Sequence, residues 1–135
     1  LWRRTRALLE QPWPEAQPTL VHRDYHPGNI LWTRGAPTGI TDWVSAATGP
    51  SGVDAAHMRA NLADLLELRV ADDFRDSYEA IAGAPHHPYW DLLHAVDRGE
   101  IDAAQWHDAG RIDLTGRVIA RRREQYLESV VRALC

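Results

Sequence analysis

The sequence predicts an α+β fold that is mainly helical: a small β-hairpin region followed by a helical array. Three observations carry this. Short apolar runs bounded by turn residues fill positions 19–43, and three prolines (Pro12, Pro14, Pro18) within seven residues isolate what precedes them. From residue 53 onward, apolar residues recur at spacings of three and four. The 135 residues, 44% of them hydrophobic and six of them Trp, suffice for one domain with an ordinary core.

The elements follow in order. Residues 1–9 read as a helix, ended by Pro12. Thr19-Leu20-Val21 reads as a short strand. Asn29-Ile30-Leu31-Trp32 and Gly39-Ile40-Thr41-Asp42-Trp43 read as two more, joined by the turn-forming Arg34-Gly35-Ala36-Pro37-Thr38. Asp54 to Val70 carries Ala56, Ala60, Ala63, Leu66 and Val70 at helical spacing, an amphipathic helix with a small-residue face. Further helices are expected near 73–82, 88–97, 102–109 and 115–133, the last with Ile119, Tyr126, Leu127, Val130 and Leu134 as its apolar stripe.

All 15 basic side chains are Arg; the chain has no Lys. That excludes a Lys nucleophile, a Schiff-base Lys and a Lys clamping nucleotide phosphates within these residues. A net charge of −4 argues against a nucleic-acid partner, which would need a clustered basic face. The single cysteine, Cys135, leaves no intrachain disulfide and no cysteine zinc site, and a cytoplasmic location is expected. No apolar run approaches membrane-spanning length, so no membrane partner is expected. A homodimer stays open.

The chemistry sits in His22-Arg23-Asp24-Tyr25-His26-Pro27-Gly28-Asn29, which fits the kinase catalytic-loop pattern H-R-D-x-x-x-x-N, with Asp42 following where a metal-binding carboxylate is wanted. If residues 29–32 and 39–42 pair around 33–38, opposed residue numbers sum to 71 and Asn29 faces Asp42. Their Cα atoms would then lie roughly 4.5 to 5.5 Å apart. An amide oxygen and a carboxylate so placed make a hard-oxygen site suited to Mg²⁺ and nucleotide phosphates. Asp24 can then accept the proton of an attacking hydroxyl, with positioning and electrostatics supplying most of the acceleration.

The run Leu20 to Trp32, with Ile40-Thr41-Asp42-Trp43, Gly49-Pro50 and Asp54, resembles the aminoglycoside phosphotransferases and their choline and homoserine kinase-like relatives. The resemblance covers residues 19–68. It implies a kinase-like C-terminal lobe, with Asp24 as catalytic base, Asn29 and Asp42 as Mg²⁺ ligands and His22 as a support of the loop. It further implies that Asp54 braces the loop from the following helix, with Arg23 and His26 as local support. Arg23 departs from the family's usual Gly and is similar to protein kinases. Two features oppose that kinship: Trp43 follows Asp42, and only 11 residues separate Asp42 from Asp54, too few for a long activation loop.

The implied function is transfer of the γ-phosphoryl group of ATP or GTP to a hydroxyl of an aminoglycoside-, choline- or homoserine-like molecule. The implied arrangement is a C-terminal lobe spanning 1–135 without the N-terminal nucleotide-clamping lobe, and so incomplete alone. Two alternatives stand beside it. One is a non-catalytic remnant that binds a ligand or partner. The other is a zinc hydrolase using His22, Asp24 and His26, with Asp42 or His57 as a further ligand. His86 and His87 are expected in a solvated loop, His94 and His107 as structural or surface residues, and Arg121-Arg122-Arg123 as a solvated face. Tyr89, Trp90 and Trp106 read as interhelical anchors, and Asp72, Asp73, Asp76, Asp91, Asp97, Glu100 and Asp102 as mostly helix-surface charge.

Overall fold

The computed structural model describes residues 1–99 and 113–135. The helix expected at 102–109, with Trp106 and His107, lies outside the described residues, as do Glu100 and Asp102. The elements are α1 (Trp2–Leu9), β1 (Pro18–Val21), β2 (Ile30–Thr33), β3 (Ala36–Ile40), β4 (Ala47–Pro50), α2 (Gly52–Leu65), α3 (Leu68–Ala82), α4 (Pro88–Asp97) and α5 (Gly116–Ala133). Among the described residues no helix is long and apolar enough to cross a membrane.

The strands form two separate two-stranded antiparallel sheets, β1 with β4 and β2 with β3. β4, which no strand pattern in its own sequence announces, pairs Val21 with Ala47 and Pro18 with Pro50. Its residues, Ala-Thr-Gly-Pro, have little β propensity. Only the long-range partner makes them a strand.

The β2–β3 hairpin corrects the expected register. Its turn is the two-residue Arg34-Gly35, with φ of 53° and 80°, rather than a longer loop over 34–38. Two positive φ values in succession make the type I′ geometry whose twist matches the flanking strands. Thr33 pairs with Ala36 and Trp32 with Pro37, then an irregularity shifts the pairing to Leu31 with Gly39 and Ile30 with Ile40. The shift leaves Thr38 extra in β3, next to Pro37, which has no N–H to give the ladder. Near the loop, opposed numbers therefore sum to 70, and Thr41, whose N–H donates to the Asn29 carbonyl at 2.9 Å, takes the place expected for Asp42.

Helix α2 is the centre of the packing. Ala55, Ala56, Met58, Arg59, Ala60, Ala63, Asp64 and Leu65 are all buried, so it is enclosed on several faces instead of being amphipathic. The main core joins Leu8, Ala60, Ala63, Ala71, Leu92, Tyr126, Leu127, Val130 and Val131 from α1 to α5. The expected 54–70 helix breaks at Leu66 and reverses into α3. That reversal lets Arg59 Nε donate to the Ala71 carbonyl at 3.3 Å and Arg59 Nη2 to Asp72 at 2.8 Å. In a straight helix residues 59 and 71 would be about 18 Å apart. Helices α4 and α5 fall within a residue of their expected limits, opened by His87 and Thr115, whose side chains accept N–H bonds from Tyr89 and Val118.

Two buried ionic networks correct surface assignments. Asp91, fully buried, pairs with Arg59, accepts the Tyr126 hydroxyl at 2.8 Å and lies 3.0 Å from His86 Nε2. His86 is therefore an interior residue and not part of a solvated loop. Asp64 is gripped by Arg98 and by Arg123 at 3.0 Å, and its carbonyl accepts from Arg122 at 2.7 Å. Two of the three consecutive arginines thus point inward. A lone carboxylate this deep would be costly, and the paired guanidinium forks offset its desolvation.

Candidate functional site

The loop between β1 and β2 is built from its backbone outward. Asp54, in the first turn of α2, accepts the His22 N–H at 2.7 Å on Oδ2 and the Arg23 N–H at 2.8 Å on Oδ1. One carboxylate so placed satisfies two consecutive N–H groups where the chain leaves the sheet. Arg23 carries φ of 69°, a left-handed conformation that a glycine adopts without cost. The family position usually held by Gly is thus a position where the backbone wants one.

His22 is 2% exposed and locks the loop to the next strand. Its Nε2 lies 2.7 Å from the Thr41 carbonyl, and its Nδ1 accepts the Asp24 N–H at 3.2 Å. Both contacts fit one tautomer, with the proton on Nε2. Trp43 presents its ring edge-on to the imidazole at 4.6 Å between centroids. The zinc alternative fails at this residue, because both ring nitrogens are already committed. Among the described residues, no group of three or more His, Cys, Asp or Glu could hold a metal ion.

Asp24 is half exposed at the loop tip. Asn29 Nδ2 donates to its carbonyl at 2.9 Å and to its Oδ2 at 3.2 Å, and among the described residues Asn29 Oδ1 makes no hydrogen bond. His26 caps the short 3₁₀ turn Pro27–Asn29 by accepting the Gly28 N–H at 3.1 Å, and its Nε2 lies 3.8 Å from Asp24 Oδ1. Asp42 follows Thr41 directly, in a left-handed conformation with φ of 62° and ψ of 54°. The strand pleat therefore does not set the direction of its side chain. Residues 24, 29 and 42 are brought to one end of the hairpin by the His22–Thr41 and Asn29–Thr41 bonds, through a route the expected ladder lacked.

A hard cation asks for oxygen donors that are not already used up. Among the described residues Asn29 Oδ1 and the exposed Asp42 carboxylate, which caps no helix, match that requirement.

Two residues of the site were underrated by sequence reasoning. His57, weighed only as a further zinc ligand, reaches Asp24 Oδ1 from α2 with its Nε2 at 3.5 Å. Its signal was legible, since His57 lies one helical turn after Asp54 and so shares its face. His94, on α4, lies tilted against His57 at 4.4 Å between centroids, a contact that no sequence spacing announces. Burial lowers the His57 pKa, with Asp24 pulling it the other way. Burial lowers His94 to about 3, reinforced by His57 and Arg98. Burial and then Asp54 raise the Tyr25 hydroxyl.

A sequence model of the phosphotransferase enzyme family, APH, matches residues 1–96, which takes in α1 to most of α4 with the whole loop and hairpin. No solved structure matches the chain.

Proposed function

The chain belongs to the phosphotransferase enzyme family, and from that premise we propose that it carries the catalytic loop of an enzyme moving the γ-phosphoryl group of ATP or GTP to a hydroxyl of a small molecule. The observation that carries this reading is the hydrogen-bonded carboxylate of Asp24. It stands at a loop tip whose backbone is held by Asp54 and whose side chain is held by Asn29. A carboxylate fixed in this way is suited to take the proton of an acceptor hydroxyl as that oxygen attacks phosphorus. Mg²⁺, held by Asn29 Oδ1 and the Asp42 carboxylate, would neutralise charge on the nucleotide phosphates. His22 keeps the loop and the Asp42 turn in register by bonding to both.

We place the nucleotide-clamping lobe outside these 135 residues. Support comes from the absence of Lys and from the apolar side chains that Leu31, Trp32, Trp43 and Val44 expose beside the loop. A surface of that kind asks for a cover. The acceptor is drawn from the aminoglycoside-, choline- or homoserine-like hydroxyl compounds.

The test is kinetic, in the complete enzyme that includes that lobe. Asp24→Ala should lower phosphoryl transfer by about 10² to 10⁴-fold with nucleotide binding intact, whereas Asp42→Ala should weaken Mg²⁺-nucleotide binding as well. Wild-type turnover by Asp24→Ala would refute the assignment. A panel of hydroxyl compounds screened for ATP consumption identifies the acceptor.

A further inference from the structure

We propose that His57 is a positioning residue for Asp24, holding one carboxylate oxygen from α2 while the Asn29 amide holds the other. The proposal rests on the reading of Asp24 as the base. Its geometry stands on its own: His57 Nε2 lies 3.5 Å from Oδ1, and Asn29 Nδ2 lies 3.2 Å from Oδ2. The carboxylate is thus approached on both oxygens, from two elements. At 3.5 Å the imidazole contact is long, and a small rotation of either side chain closes it into a hydrogen bond, as catalytic contacts do when substrate arrives.

The surroundings suit a fixed donor. Asp54 and His57 sit one turn apart on α2, so one stretch of helix holds the loop's backbone at residues 22 and 23 and its reactive carboxylate at residue 24. The His57 ring is mostly buried, with His94 behind it at 4.4 Å and His26 stacked on it at 5.9 Å, 20° from parallel. Those two rings restrict the imidazole. Burial lowers the pKa of His57, and His26 and Arg98 lower it further against the pull of Asp24 and of the Arg23 backbone. A neutral imidazole with its one proton on Nε2 offers Asp24 an N–H without a full positive charge. The carboxylate is thus oriented by a neutral donor rather than by a cation.

Without this hold, an Asp side chain that is 42% exposed would sample several rotamers, few of them aimed at an acceptor hydroxyl. The consequence falls on kcat and leaves binding alone. His57→Phe keeps the ring volume against His94 and removes the donor, while His57→Gln keeps a donor of similar reach. In the complete enzyme, His57→Phe should lower kcat about tenfold or more with KM for nucleotide and acceptor within about twofold. His57→Gln should recover most of the loss. A merely structural role predicts the reverse order.

Wild-type kcat in His57→Phe, or equal impairment of the Gln and Phe variants, overturns the proposal. If the Phe variant fails to fold, the imidazole nitrogen shifts of His57 decide by NMR: they should move in Asp24→Asn, and unmoved shifts overturn the contact. Failure of the underlying reading is separable. Full turnover by Asp24→Asn sinks the base assignment, whereas an inactive Asp24→Asn beside a fully active His57→Phe sinks this proposal alone.

Discussion

Acid should unfold this protein earlier than its carboxylates alone would require, and His94 is the reason. In the folded chain burial holds its pKa near 3, whereas an unfolded histidine titrates near 6.5. Between those values the unfolded chain binds a proton that the folded chain refuses, so stability rises with pH across the window and is lost as pH falls through it. From pH 7 to pH 4 the two titration curves differ by about 3 kcal/mol for this one group, at roughly 1.4 kcal/mol per pH unit in mid-window. The loss levels off near pH 3, once the folded form also takes up the proton. The assay is urea unfolding at pH 7, 6, 5 and 4 for the wild type and His94→Gln, whose amide does not titrate. Carboxylate contributions are common to both and cancel in the difference. The wild-type curve should lose about 3 kcal/mol more than the variant's over that range. Parallel curves, or an NMR titration placing His94 near 6.5, would refute both the burial and the reasoning built on it.

Two further predictions concern the backbone. Gly52 opens α2 against the Trp90 indole, and a Cβ there would sit 2.8 Å from Cγ and 2.8 Å from Nε1, with Cδ1 nearer still. Gly52→Ala should therefore cost about 1 to 3 kcal/mol in thermal or urea unfolding, and an unchanged midpoint would mean that Trp90 moves freely. Arg23→Gly should raise stability by about 0.5 to 1 kcal/mol, because relief of the left-handed strain exceeds the added freedom of the unfolded chain. A lower melting temperature for Arg23→Gly would contradict the positive φ.

Most residues of the candidate site were legible because they lie in one short run. Eight residues, His22 to Asn29, carry the proposed base, the amide and the imidazole that ties the loop to Thr41, and the turn-rich stretch after them announces a hairpin. Local patterns also set α4 and α5, whose capping residues and apolar spacing sit within the helices they describe. The exclusion of a Lys clamp required only counting.

What the tertiary structure decided is every relation between distant residues. The hairpin register moved by one residue because Arg34 and Gly35 make a two-residue turn and Pro37 disturbs the ladder, so Thr41, not Asp42, pairs with Asn29. β4 exists because β1 is there to receive it. Asp91 and His86 look like surface residues in the sequence, yet Asp91 is buried against Arg59 and Tyr126 from other helices, and His86 is buried beside Asp91. His57 touches Asp24 across 33 positions, and His94 backs it from a third element. The sequence by itself determined which functional groups this protein owns. Chain reversals and long-range packing decided which of them meet, since side-chain spacing reports only neighbours along one helix or strand.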